Sequence, residues 1–279
     1  MRASWPRNTD VPRDCGTWLF HHRSYVLLPL AILVGLVAVF FPHEAANATV
    51  QRVARAGGLV LLIVGEAIRM HVAGRAKPGT SGRGCNFRSA ELIIEGLYSR
   101  TRNPLYLGNL LIWAGMAVLT THVVLLAVCL SVVGLHYHFI IRAEERFLLR
   151  RHGDRYRRYR TLVPRFFPRL RQCAPVAAEL RSPDGAVFSL PRALFREHDT
   201  LFAILAGAWG IASLDAGFFR PGNVVSSTGL WWISIPVVSA VAWLVLKVLK
   251  KARRPRRPQP RHPSVPAASR RRRSAASTH

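Results

Sequence analysis

The chain has 279 residues, with 40 Lys and Arg against 14 Asp and Glu, a formal net charge of +26 and a mean hydropathy of +0.15. Hydrophobic residues make up 50% of it and are gathered into long blocks nearly free of charge, which excludes an ordinary soluble domain and points to a membrane. The basic residues lie between those blocks, where the positive-inside bias places them; they fit an anionic membrane face, and no nucleic-acid partner is expected.

In chain order, residues 1–22 are polar, carry Pro6, Pro12 and several Arg, and need not fold. A first span is expected over 25–41, with Pro29 near its start where a missing N–H costs least, and Pro42 ending it. It is long enough to be retained as a span, not cleaved as a signal segment. A second span, 53–70, carries Glu66 and Arg69 at a spacing that pairs them on one helix face. An ionisable pair inside a span reads either as function or as a helix-end pair whose Arg snorkels.

Residues 71–95 form a polar, Gly-rich connection that leads into Gly96-Leu97-Tyr98-Ser99-Arg100-Thr101-Arg102-Asn103-Pro104-Leu105-Tyr106-Leu107-Gly108. Pro104 suits the first turn of a third span, 104–120. Thr120, Thr121 and His122 make a short turn into a fourth, 123–141, so the two spans form a tight antiparallel hairpin. The fourth helix continues past the apolar run through Arg142, Glu144 and Glu145. His136 and His138 on it point to different faces, a poor metal pair. Cys15, Cys85, Cys129 and Cys173 are far apart, so neither a zinc site nor a disulfide framework is indicated, and no metal is expected.

Residues 150–167 are Arg-rich, with Tyr156, Tyr159 and Phe166, and read as a surface segment among anionic lipid headgroups. A connection over 172–199 precedes two more spans, 201–217 and 230–246, the latter opening on Trp231 and Trp232. The Lys-, Arg- and Pro-rich tail, 251–279, has a disordered composition. The expected organisation is thus a polar start (1–22), a membrane core (23–171), a connection (172–199), two added helices (200–250) and the tail. The fold expected is all-α, polytopic, with about six transmembrane helices. With both termini cytoplasmic, the outer loops hold only Arg52, Arg55 and Arg220, and the segment around Arg102 shares the cytoplasmic face with Glu144.

The hairpin returns its two polar ends to one side of the bilayer. There Arg102 and two Tyr face two carboxylates, counter-charges for a zwitterionic small molecule, and an adenine ring could stack on an aromatic side chain. Taken alone, the same residues also read as a structural ion pair ending a helix.

Gly96, Tyr98, Arg102, Asn103, Pro104, Tyr106 and Gly108 resemble the G-x-Y-x-x-x-R-[HN]-P-x-Y-x-G pattern of the isoprenylcysteine carboxyl methyltransferase and phospholipid methyltransferase superfamily. Glu144-Glu145, Leu148, Gly153, Tyr156, Tyr159, Val163-Pro164 and Pro168 are similar to its second run. The resemblance covers about residues 90–170. It implies an integral membrane enzyme with a cytosolic pocket for S-adenosylmethionine and a lipophilic methyl acceptor (a carboxylate, amine or thiol) entering from the bilayer. Tyr98, Arg102, Asn103, Pro104, Tyr106, Gly108, Glu144 and Glu145 would then bind the cofactor, with Arg102 and Glu145 central to catalysis. Asn103 stands where His is frequent, and His152 where Phe is usual. Two other readings differ in class. One is an NADPH-dependent sterol-reductase-like enzyme, whose Lys/Trp-bearing final motif is not evident here; the other is a non-catalytic membrane protein with a lipid-binding basic tail. The Arg-, Ala- and Val-rich composition fits a bacterial inner-membrane protein.

Overall fold

The computed structural model describes residues 15–41, 47–76, 92–169, 187–215 and 227–252. Every regular element among them is helical: α1 (Cys15–Val26), α2 (Leu28–Phe40), α3 (Ala48–Arg75), a 3-10 turn (Gly96–Ser99), α4 (Pro104–Leu119), α5 (Val123–Leu162), α6 (Leu190–Asp215) and α7 (Ser227–Ala252). Three of these are long and apolar enough to cross a membrane: α3, α5 and the 232–250 part of α7. A fourth crossing is available if α1 and α2, bent by 60°, count as one broken span. The protein is therefore a helical membrane protein, as expected. The tail beyond 252 and most of the Gly-rich connection lie outside the described residues.

Two expected boundaries move. The helix containing Pro29 begins only at Leu28, because proline is tolerated in a first turn, and the chain bends at Leu27. Ahead of that bend, residues 15–22 are not unstructured but helical. Their inner face packs on α5, where Phe20 is buried and a Cβ on Gly16 would lie 2.5 Å from the Phe139 carbonyl oxygen. Likewise residues 190–199, expected in a connection, form the first turns of α6, because Glu197 and Thr200 find Arg69 of α3 as a partner.

The centre of the bundle is the antiparallel pair α3–α4. Gly58 faces Gly115 and Gly65 faces Gly108, and a Cβ on Gly65 would stand 2.7 Å from the Gly108 carbonyl oxygen. Glycines seven residues apart on both helices let the backbones approach more closely than any side chain would allow. Across the same contact Arg69 bonds Asn109 of α4, pairs with Glu66 at 3.5 Å and with Glu197 of α6, and donates to Thr200 Oγ1 at 2.9 Å. A guanidinium in this position is held by charge and hydrogen bonds from three helices, which is how an ionised group persists at membrane depth.

Candidate active site

The loop before α4 is fixed by residues beyond the end of α5. Arg102 N–H donates to the Pro164 carbonyl (2.9 Å), Arg169 N–H to the Arg100 carbonyl (3.1 Å), and Thr101 Oγ1–H to the Phe166 carbonyl (2.9 Å). Asn103 Nδ2–H donates to the Arg165 carbonyl (2.9 Å), and the Tyr159 hydroxyl to the Tyr98 carbonyl (2.7 Å). Residues 98–103 and 163–169 are thus clasped along their lengths, through backbone and side chain alike.

What lets 163–169 reach that loop is a break in α5. Gly153 has φ +52° and ψ −126°, a conformation left to glycine, and the helix turns there before resuming. Beyond the turn Tyr156 and Tyr159 are buried with Leu92, Ile94 and Val163, while Arg155, Arg157 and Arg158 are exposed. The Arg-rich segment expected over 150–167 contains this post-turn helix, with one face buried and the other exposed.

Glu144 and Glu145, about 100° apart around the helix, face different partners. Glu145 sits between Arg102 (3.4 Å) and Arg165 (3.6 Å). Glu144 accepts a hydrogen bond from the Tyr106 hydroxyl, and Arg23 of α1 brings a positive charge to the same pair. Tyr106 packs on Tyr137, with ring centroids 4.9 Å apart. Burial, reinforced by the Glu144 charge, pushes the Tyr98 phenol well above its usual range, so it stays neutral; burial likewise pushes the Glu144 carboxyl up to about 7. A cleft of ≈ 210 Å³ opens beside Glu145, lined also by Arg142, Arg146, Leu149 and Arg160.

The structure therefore brings Tyr98, Arg102, Tyr106, Glu144 and Glu145 together. Asn103 is there too, but its amide is engaged with the Arg165 carbonyl, and Pro104 starts α4 beneath it. Gly108 faces α3 instead, at the Gly65 contact. Arg165 and Arg23 were not singled out by sequence. Arg165 carried a signal, since it directly follows Val163-Pro164 of the second run; Arg23, on a separate helix, carried none.

A family model described as phospholipid methyltransferase matches residues 53–155. The nickel-cobalt-cadmium resistance protein NccN of Alcaligenes xylosoxydans xylosoxydans is 36% identical over 163 residues, 57% of this chain and 71% of that protein. The chain belongs to the phospholipid methyltransferase family. The cobalt-zinc-cadmium resistance protein CzcN of Cupriavidus metallidurans is 38% identical over 79 residues, 28% of this chain and 36% of that protein. No solved structure matches. Phospholipid methyltransferases fall within the isoprenylcysteine carboxyl methyltransferase-like superfamily, so this family member is in general class a membrane methyltransferase. The matched stretch takes in α3, α4 and α5 up to the Gly153 turn, and hence both Arg102 and Glu145.

Proposed function

We propose that the protein moves a methyl group from S-adenosylmethionine to a lipophilic acceptor that reaches the site from the bilayer, on the cytoplasmic side. The observation that carries this reading is the set of polar atoms around Glu145. Arg102 Nε, Arg165 Nη2 and Glu145 Oε1 are buried and make no hydrogen bond among the described residues. Such atoms are costly unless a ligand completes them. Two guanidinium donors next to a carboxylate acceptor match a molecule bearing both a carboxylate and a positively charged amine.

Bound there, S-adenosylmethionine supplies a methyl carbon already activated by its sulfonium. Arg102 and Arg165 would hold the ligand's carboxylate, and Glu145 its amine. Tyr98 and Tyr106 offer aromatic surface close by, and Glu144, oriented by the Tyr106 hydroxyl, places a second carboxyl group near the cationic centre. Little acid or base work is then required, because orienting donor and acceptor supplies most of the rate. A carboxylate or thiolate acceptor needs no base; an amine needs one, and Glu144 is the carboxylate at hand.

Access from lipid is supported by helix length. α4 has 16 residues and so rises about 24 Å, short of the ~30 Å hydrocarbon core. With its other end tied to α5 by a tight turn, the Arg102 loop is drawn toward the bilayer edge, within reach of a membrane-dissolved acceptor.

Equilibrium binding of labelled S-adenosylmethionine to the purified full chain tests the donor. Saturable binding is expected, weakened at least tenfold by Arg102→Ala and by Glu145→Ala. Equal affinity in all three proteins would remove the assignment. Incubating membranes with methyl-labelled cofactor and identifying the labelled product then gives the acceptor.

A further inference from the structure

The cleft beside Glu145 carries more positive charge than S-adenosylmethionine would use. Three of its five lining residues are arginines: Arg142 and Arg146 from α5, and Arg160 from beyond the Gly153 turn. Its one carboxylate, Glu145, stands between Arg102 and Arg165 on the side of the proposed cofactor site. All three arginines are exposed. Arg142, Arg146 and Leu149 succeed one another at helical spacing on one face, so the cleft takes two cations and an aliphatic side chain from ahead of the Gly153 turn and a third cation from beyond it.

Its depth is equally informative. Arg142 is the residue directly after the apolar run 123–141 of a spanning helix. Arg146 lies about 6 Å further along the axis, and a headgroup layer is about 5–8 Å thick. Convergent guanidiniums at that level, beside an aliphatic side chain, complement a phosphodiester with its glycerol and acyl chain running inward.

We propose that this cleft is a binding site for the phosphate of an anionic phospholipid, a lipid that is bound and not methylated. Gly153 builds the site, because only the reversal of the chain there carries Arg160 back to Arg142 and Arg146. The lipid would share the Glu145 wall with the proposed cofactor site, but its binding does not rest on methyl transfer: a chain with no catalytic activity would still hold it.

The test uses the full chain in neutral detergent, titrated with short-chain phosphatidylglycerol, which has no amine to methylate, and with phosphatidylcholine of the same chain length. Bound lipid is counted by native mass spectrometry. Phosphatidylglycerol is expected to bind at least tenfold more tightly, and the preference should disappear in the triple variant Arg142→Gln/Arg146→Gln/Arg160→Gln. It should persist in Arg155→Gln/Arg157→Gln/Arg158→Gln, which removes as much charge from the neighbouring outward face. Equal loss in both variants would mean diffuse surface charge and overturn the site. So would competition by millimolar inorganic phosphate as strong as that by the lipid. A triple variant that melts with the wild type yet retains the preference overturns it as well.

Discussion

Gly153 is the residue on which the site most depends without touching a ligand. No neighbour lies within 4 Å of a Cβ built there, so the obstacle to any other residue is its backbone conformation alone. Holding a non-glycine residue in such a region costs about 1–3 kcal/mol. Gly153→Ala is therefore expected to lower the melting temperature of the purified protein and to weaken S-adenosylmethionine binding together, by freeing the segment that carries Tyr159 and Arg165. An unchanged melting curve with unchanged binding would show that the turn tolerates a side chain. At this scale the sequence was informative wherever the chemistry was local. Tyr98, Arg102, Tyr106, Glu144 and Glu145 could be placed on one side because the hairpin returns its two ends together, and the motif resemblance singled them out from a plain helix-end ion pair. Asn103 shows the limit: its presence in the motif is legible, whereas its donation to the Arg165 carbonyl depends on a segment more than sixty residues away. An imidazole N–H could make the same donation, which accounts physically for Asn and His sharing that place in the pattern.

Among the elements, α3 and α4 are set by what their glycines lack. Both Gly65 and Gly108 stand where a Cβ would press on the opposite backbone at 2.7 Å, so neither helix can accept a methyl group without moving apart. Gly65→Ala should destabilise the protein by about 1–3 kcal/mol through overpacking. Gly134→Ala, in α5 with nothing within 4 Å, should be neutral or stabilising by up to ~1 kcal/mol, since it only restricts the unfolded chain and favours helix. Thermal unfolding of the two variants in one detergent checks the contrast, and similar shifts would contradict the close-contact account. The same pairing explains why the Glu66–Arg69 pair remained ambiguous in the sequence. Its resolving partners, Asn109 and Glu197, come from α4 and α6, and only the packing brings them to Arg69. The start of α6 was missed for a related reason: of its buried residues over 190–199 only Ala193 is apolar, and Glu197 and His198 are placed by packing.

Taken whole, the molecule divides into a bundle that carries the site and a helix that does not. α7 leaves Ile235, Val237, Val238, Val241, Leu244, Val245 and Val248 exposed, as suits a helix surrounded by lipid, and it touches the bundle through α6, where Trp209 Nε1–H donates to the Trp232 carbonyl at 2.9 Å. Among the described residues α7 gives none to the pocket around Glu145, and residues 253–279 lie outside both sequence motifs. Removing residues 253–279 is accordingly expected to leave cofactor affinity and label transfer within about twofold of the full chain. A well-expressed truncated protein that has lost transfer would place the tail in the reaction. The all-helical membrane architecture was readable at this scale, since long uncharged blocks admit few other structures. The number of crossings was less so, because a 16-residue α4 and a bent α1–α2 pair satisfy the bilayer in ways that block lengths do not reveal.

The clasp between residues 98–103 and 163–169 imposes an order of events during synthesis. The Arg102 loop leaves the ribosome well before Pro164 and Arg165 exist, so α3, α4 and the apolar part of α5 enter the membrane with the pocket still lacking a wall. Only when the chain has been made past Arg169 and has reversed at Gly153 can the backbone bonds to Arg100 and Arg102 form. A nascent chain halted short of Pro164 would thus be inserted but unable to form the clasp, whereas one halted after α5 and its clasp has every residue that the pocket uses.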